Sequence, residues 1–189
     1  LQMQDDVILE GYWQSERYFA DVAPVIRQDL AFRNPDLARN ARAAIAELKA
    51  KRGGDVVAVH VRRGDYNWPA HRPMFHELSL DWYRRAMGRF PEGTSFLVFS
   101  DDIPWCRENL AGERVSFATS GKVLVDFALM RCCDHYIVAN STFSWWGAYL
   151  SENPDPQVFA PDGDAWFGEA RRDNETAPLL PPRWVALPD

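Results

Sequence analysis

Short apolar runs alternate along the chain with segments that have helical spacing. The runs at 56–61 and 95–100 are apolar at almost every position rather than at every second one. Strands of that kind are buried on both faces, which is typical of parallel sheets covered by helices. The sequence therefore predicts an α/β fold, a Rossmann-like parallel sheet with helices on both faces.

Capping residues mark where the helices should begin and end. Asn34 and Pro35 have the residue types of an N-cap and a first helical position, and Gly53 is typical of a helix stop. Three more caps are expected at Ser15, Asp21 and Ser79. The other predicted elements are strands at 5–9, 114–118, 136–139 and 158–160 and helices at 103–110, 122–132 and 142–152. The helix at 122–132 is expected to turn Leu124, Phe127, Ala128 and Met130 inward.

The length of 189 residues fits one domain with a sizeable core. We expect a helical and linker segment at 1–55 and the Rossmann-like domain at 56–189. The last part of that domain, from 161 onward, is rich in Pro, Asp and Gly and is expected to wrap the surface. Trp166 and Trp184 are its predicted anchors.

Composition excludes several classes of function. A net charge of −6 argues against nucleic acid as a partner, because such partners need a basic face. The chain has no run of the roughly 20 apolar residues that a membrane helix requires, and no signal peptide opens it. Three cysteines without a C-x-x-C pattern fit free thiols in a reducing compartment. The prediction is a cytoplasmic protein.

Polar clusters follow three of the predicted strands. They are "HVRRGDY" at 60–66, "SDD" at 100–102 and "NSTFS" at 140–144. Ligands of open parallel sheets bind at the carboxyl ends of the strands. The three clusters are therefore expected to meet along one edge of the sheet.

The residue types in these clusters indicate an anion. One of Arg62 and Arg63 can bind a phosphate with its planar fork, and the other is expected to pair with Asp65 or a neighbouring acid. The segment 140–144 leads from a strand into a helix, whose first N–H groups can bind an anion. Together they predict a diphosphate site. The alternatives are surface ion pairs for the arginines, a hydrogen-bonded core role for His60 and ordinary helix capping for 140–144.

Two acidic features have separate interpretations. Asp126 stands in an otherwise apolar helix, and its burial would demand a donor, which favours a functional role. Asp101 and Asp102 could hold a metal ion that bridges a diphosphate, but no His or third carboxylate lies near them in sequence. We therefore expect no metal and no cofactor.

The ordered set "GYWQSERYF", "HVRRGDY", "FSDDIPWC" and "ANSTFSWWGAYL" closely resembles the bacterial and animal α-1,2-fucosyltransferases of glycosyltransferase family 11. The likeness runs from about residue 11 to about residue 161. It implies metal-independent, inverting transfer of L-fucose from GDP-fucose to the 2-hydroxyl of a terminal galactose on an oligosaccharide or glycolipid. It also implies a two-domain GT-B enzyme whose C-terminal half, this chain, binds the donor. In a bacterium, a peripheral contact with the inner membrane would accompany the cytoplasmic location.

The resemblance also implies roles for particular residues. Arg62 is the expected catalytic residue, because it would grip the β-phosphate and stabilise the departing diphosphate. His60 and Asp126 would help place the nucleotide, with Asp126 at the guanine edge. The complete expected donor-binding set is His60, Arg62, Arg63, Asp65, Asp102, Asp126, Asn140, Ser141, Thr142 and Ser144. Asp65 is a weak candidate for a general base because it is expected to hold an arginine.

One departure from the family pattern bears on activity. Family members carry a "GGLGNQ"-like segment near the N-terminus, and nothing similar occurs here. We therefore expect that the N-terminal domain is missing and that the chain alone is impaired. Two other functions stay open: a transferase for another nucleotide sugar, GDP-linked ones included, and a non-catalytic glycan-binding module that uses Trp145, Trp146 and Tyr149.

Overall fold

One parallel sheet organises the computed structural model, which describes residues 15–189. Its six strands in that range are Val56–Val61 (β1), Ser95–Ser100 (β2), Val115–Phe117 (β3), His135–Ile137 (β4), Val158–Pro161 (β5) and Val185–Leu187 (β6). They lie in the order β3-β2-β1-β4-β5-β6, and every neighbouring pair is parallel. The predicted Rossmann-like sheet is therefore confirmed.

Six α-helices connect and cover the strands within the same range. They are Ala23–Asp29 (α1), Pro35–Arg52 (α2), Leu80–Met87 (α3), Ile103–Leu110 (α4), Val123–Arg131 (α5) and Thr142–Tyr149 (α6). None of the helices in the described part of the chain is long and apolar enough to span a membrane.

The strand order reverses direction beside β1. From β1 the chain adds strands on one side as far as β3, and then returns to place β4 on the other side of β1. Such a reversal opens a crevice at the carboxyl ends of the two central strands, which is where ligands of this fold bind. The loops after β1 and β4 therefore face one crevice.

The core has two layers, one on each face of the sheet. Val56 and Ala58 belong to the apolar cluster on one face, and Val57, Val59 and Val61 belong to the cluster on the other. All five side chains are buried. The almost unbroken apolar pattern of this strand is thus explained by burial on both faces.

Most of the predicted helix boundaries are confirmed. The Asn34 side chain accepts a hydrogen bond from the backbone N–H of Asp36, and Gly53 follows the last turn of α2 with a φ of 72°. Ser79 caps α3 in the same way through the N–H of Trp82. The expected cap at Asp21 is wrong, because a 3-10 turn at Ala20–Val22 places this residue inside a turn before α1 begins.

The predictions for α5, for the tail and for the first 55 residues are confirmed only in part or lie outside the described residues. Leu124 is 67% exposed rather than inward, and its neighbour Val123 at the start of α5 is 70% exposed. The tail from 161 onward is buried at Trp166 and Trp184 as predicted, but it also supplies β6, which was not predicted. The strand predicted at 5–9 lies outside the described residues, and so does the start of the predicted segment 1–55. The division into 1–55 and 56–189, and the assignment to one half of a larger enzyme, stay predictions.

Candidate active site

A cavity of about 490 Å³ lies at the crevice between β1 and β4. The loop after β1 contributes Arg62, Asp65 and Tyr66 to its wall, and the loop after β4 contributes residues 140–142. Other wall residues come from elsewhere in the chain: Ser15, Tyr18, Phe75, Trp166, Phe167, Arg171, Glu175, Pro178 and Leu179. A volume of this size suits a small-molecule ligand. Five of the predicted site residues, Arg62, Asp65, Asn140, Ser141 and Thr142, share this cavity.

The Arg62 guanidinium is held in a fixed orientation. Its Nη2 lies 2.5 Å from Oδ1 of Asp65, and its Nη1 lies 2.7 Å from Oδ2 of Asp101. Its central carbon also lies 5.3 Å from the centre of the Tyr66 ring. A guanidinium has five N–H groups. The two carboxylates engage only part of that fork, and the rest remains able to bind an anion in the cavity.

Arg63 is not among the residues of the cavity wall, and its predicted contact with the donor stays a prediction. Its Nη1 contacts a carboxylate oxygen of Glu77, its Nε lies 3.5 Å from Asp102, and its guanidinium lies 3.9 Å above the Trp105 ring. Asp102 also caps α4. The second arginine was expected to pair with Asp65 or a neighbouring acid, and Arg63 pairs with the neighbouring acids Glu77 and Asp102, while Asp65 binds Arg62. Arg63 and Asp102 instead fasten the loop after β1 to α4.

The first turn of α6 reaches the cavity through Ser141 and Thr142. Ser141 is the N-cap residue, but its hydroxyl makes no capping hydrogen bond. The first N–H groups of a helix have no partner within the helix and carry its positive partial charge. The first turn of α6 is therefore a second place in the cavity wall, besides Arg62, where an anion can find donors.

His60 and Ser144 form a buried pair outside the wall of the cavity. His60 Nδ1 lies 2.9 Å from the Ser144 hydroxyl, and both side chains are buried. Burial lowers the pKa of His60 to about 4, with Arg62 acting in the same direction and Asp101 against it. The hydrogen bond between His60 and Ser144 thus connects β1 to α6 outside the cavity wall, and their place in the donor-binding set stays a prediction. The core role, which the sequence left open for His60, agrees with this placement.

We expect His60 to make the protein's stability depend on pH. The folded-state pKa of His60 lies below the ordinary value of 6.5, so the unfolded state takes up a proton first as the pH falls. The stabilisation of the folded state by neutral His60 is therefore complete above pH 6.5 and is lost as the pH falls towards 4. The loss should reach roughly 3 kcal/mol between pH 7.5 and pH 4. Chemical denaturation of the wild type and of His60→Gln across this range measures it. Equal pH dependence in the two proteins would contradict the assignment.

Asn140 connects three segments beneath the cavity. Its side-chain amide donates to the backbone carbonyl oxygens of His76 at 2.8 Å and Trp166 at 2.9 Å. The backbone carbonyl of Asn140 accepts a hydrogen bond from the Tyr66 hydroxyl at 2.8 Å. Burial raises the pKa of Tyr66 to about 12, so this hydroxyl stays protonated and donates. Asn140 is buried, and its amide acts as a structural clamp.

Asp126 differs from its prediction. It is half-buried rather than buried, and its Oδ1 accepts a hydrogen bond from the Ser120 hydroxyl at 2.7 Å. It is not among the residues that line the cavity. A local hydrogen bond in the turn before α5 therefore explains an acid in this apolar helix, and its role at a guanine edge stays a prediction.

The two carboxylates that follow β2 are committed to arginines. Asp101 also accepts from the Arg63 backbone N–H at 3.0 Å, besides binding Arg62, while Asp102 faces the Arg63 side chain. Among residues 15–189, no group of three or more His, Cys, Asp or Glu side chains is arranged to hold a metal ion. Metal independence stays a prediction.

Sequence reasoning missed the cavity residues that come from the tail and from the loop before α3. Arg171 and Phe75 both line the cavity, yet neither belongs to a strand-end cluster. Arg171 ends a 3-10 turn at Glu169–Arg171, within a stretch that has no helix or strand pattern. The positive charge of Arg171 was the one feature of the sequence that could have indicated an anion-binding role.

Fold and site together define a class. A Rossmann-like sheet carries, at the reversal of its strand order, a cavity with an arginine fork on one wall and a helix N-terminus on another, which is the arrangement of a phosphate-binding enzyme domain. The family model described as glycosyl transferase family 11 matches residues 4–177. The chain belongs to this family.

Curated relatives support the same family. The chain is 32% identical to an Escherichia coli protein named alpha-1,2-colitosyltransferase, over 98% of this chain and 64% of the relative. It is 31% identical to human galactoside alpha-(1,2)-fucosyltransferase 1, over 76% of this chain and 42% of the relative. The chain thus spans between about two fifths and two thirds of the length of these relatives.

A looser likeness exists among solved structures. The structure titled "Crystal structure of NodZ alpha-1,6-fucosyltransferase co-crystallized with GDP" aligns with 66% of this chain and 44% of that chain, at 17% identity and a TM-score of 0.44. This likeness is too weak to carry an argument about the site.

Proposed function

We propose that this chain binds GDP-fucose and takes part in inverting transfer of L-fucose to the 2-hydroxyl of a terminal galactose. The observation that carries the proposal is the shared cavity, where the Arg62 guanidinium and the first turn of α6 face one ligand-sized space. The relatives add the sugar chemistry, since their names specify α-1,2 transfer and, in the human protein, a galactoside.

The proposed reaction is a single displacement. The acceptor 2-hydroxyl attacks the anomeric carbon of fucose, the bond from that carbon to the β-phosphate oxygen breaks, and its electron pair leaves with GDP. The acceptor proton passes to a base or to water. Charge therefore grows on the diphosphate as the bond breaks. Arg62 and the α6 N–H groups would stabilise that charge more in the transition state than in the ground state, which is the condition for catalysis.

The same geometry explains how the reaction could proceed without a metal ion. In many phosphate-transfer sites a divalent cation neutralises the departing charge. Here a guanidinium and a helix N-terminus are available for that task. Metal-independent chemistry without a cofactor is therefore part of the proposal.

The remaining parts of the proposal concern partners and location. The acceptor would be a galactose-terminated oligosaccharide or glycolipid, with no role for nucleic acid in a chain of net charge −6. All three cysteines are free, which fits a reducing cytoplasm. A glycolipid acceptor would bring the enzyme to the inner membrane as a peripheral protein.

A second candidate differs only in the transferred sugar. The relative that aligns with 98% of this chain is named for colitose rather than fucose. The cavity contacts described above would recognise the diphosphate, which both donors share, so they do not separate the two sugars. A colitosyl donor is therefore the alternative that the experiment must include.

The glycan-binding alternative requires exposed aromatic side chains on α6, and two of its three residues are buried. Trp145 is completely buried, and its Nε1 donates to the Leu179 carbonyl at 2.7 Å. Tyr149 is 3% exposed, and Phe19 stacks on Trp146 at 5.4 Å between ring centres. Trp145 and Tyr149 therefore belong to the core around α6, while Trp146 is half-buried and lines a separate cavity.

Competition binding tests the proposed donor. Isothermal titration of the chain with GDP, GDP-fucose, GDP-mannose, UDP-galactose and a GDP-linked colitose should show binding of the GDP ligands and none of UDP-galactose. Transfer assays with lactose as acceptor, followed by linkage analysis, should yield an α-1,2 product. UDP-galactose binding as tight as GDP-fucose, or a product with another linkage, would contradict the proposal.

A further inference from the structure

Arg171 is a second guanidinium in the wall of the cavity. It contacts the sulfur of Met74 at 3.7 Å and lies 5.4 Å from the centre of the Phe75 ring. No carboxylate of residues 15–189 lies within 4.0 Å of its nitrogens. Glu175 also lines the cavity, but it does not pair with this arginine at that distance. Within the described part of the chain, Arg171 therefore has no ion-pair partner for its positive charge.

A chain of ring contacts connects Arg171 to Arg62. Arg62 lies over Tyr66, Tyr66 stacks on Phe75 at 4.3 Å with an angle of 8° between the rings, and Phe75 contacts Arg171. All four side chains line the cavity. Both guanidinium groups also act to lower the pKa of Tyr66, although burial raises it overall. Tyr66 and Phe75 therefore link the two arginines along the cavity wall.

The backbone holds Arg171 at this place. The N–H of Gly168 donates to the Met74 carbonyl at 3.0 Å, and the N–H of Ala170 donates to the Pro73 carbonyl at 2.7 Å. A side chain at position 168 would place its Cβ 2.6 Å from the Pro73 oxygen, so this close approach requires glycine. The tail is thus fastened to the loop that carries Phe75, and Arg171 follows two hydrogen bonds that fix its backbone.

We propose that Arg171 is a second diphosphate-binding residue of the donor site. The inference rests on the proposed function and extends it to a residue outside the strand-end clusters. Arg62 shares its charge with Asp65 and Asp101, whereas none of the carboxylates at 15–189 pairs with Arg171. Arg62 would therefore orient the diphosphate through its fixed guanidinium, and Arg171 would supply most of the positive charge that attracts it. The GDP affinity should depend on both.

The test compares Arg171→Gln with a matched control next to it. Arg172 is exposed and pairs with Glu169 at 2.9 Å, so Arg172→Gln removes the same charge from the same turn without touching the cavity wall. Calorimetry should show GDP affinity about tenfold lower in Arg171→Gln, from the loss of a hydrogen bond to a charged group. Arg172→Gln should stay within about twofold of the wild type, since surface charges act weakly.

Binding of GMP, measured beside that of GDP, distinguishes the loss of a diphosphate contact from a loosening of the tail. Loosening of the tail would weaken GMP and GDP equally, whereas loss of a diphosphate contact should reduce the preference for GDP over GMP. Arg171→Lys should recover part of that preference. If the wild type binds GDP and Arg171→Gln binds it equally well, or loses GMP in the same proportion, the inference fails and the proposed function stands. If the wild type binds no GDP, both fail.

Discussion

Replacing Arg62 with alanine should lower the rate of transfer by about 10²- to 10³-fold, as loss of one preorganised donor to a developing anion does in other enzymes. The change removes the fork that would bind the departing diphosphate, and it also leaves Asp65 and Asp101 without their shared cation. GDP affinity should fall as well. Steady-state kinetics of the active enzyme and calorimetry of this chain measure the two effects.

Two further variants make the Arg62 result specific. Arg62→Lys keeps the charge but loses the planar fork, so it should recover little of the rate. Arg89→Ala, at an exposed position outside the cavity wall, should change neither rate nor affinity. If Arg62→Ala keeps wild-type GDP affinity while remaining folded, this arginine is not part of the donor site.

Changing Asn140 to aspartate should cost about 3 kcal/mol of stability at neutral pH, because a buried charge would lose its donors and face acceptors. The amide that donates to the carbonyls of His76 and Trp166 would become a carboxylate that repels both. The folded-state pKa of this new carboxyl would therefore lie above its unfolded value. The penalty should be small below about pH 4, where the carboxyl is protonated, and should grow as the pH rises.

Urea unfolding at several pH values measures the Asn140→Asp effect relative to the wild type. Asn40→Asp is a suitable control, because Asn40 is exposed on α2 and the same chemical change there should cost less than about 0.5 kcal/mol. A pH-independent penalty would mean that the clamp does not work through its two donors. No penalty at all would contradict the hydrogen bonds at the floor of the cavity.

The central part of the fold could be predicted because its signals are local. The runs that became β1 and β2 are apolar on both faces, and a cap and a glycine set the ends of α2. Elements without such signals were missed or misplaced. The strand β6 has only three residues, two of them exposed, and it exists because it pairs with β5. Pairing of that kind depends on the tertiary fold and leaves little trace in composition.

The site shows the same limit. Strand-end clusters predicted that Arg62 and the loop at 140–142 would meet, and the cavity brings them together. Pairing with a nearby acid was predicted, but which acid binds which arginine was not, because the sequence does not specify the direction of each side chain. His60 and Ser144 have the residue types of a site, yet they lie buried outside the cavity wall, where their hydrogen bond connects β1 to α6. Arg171 enters the cavity through the path of the tail, which no local pattern specifies.

A crystal structure of the chain with GDP would test the central claim most directly. We predict β-phosphate oxygens within hydrogen-bonding distance of the Arg62 guanidinium and of a backbone N–H in the first turn of α6. A nucleotide bound elsewhere, or a diphosphate in this cavity that contacts neither group, would contradict the account.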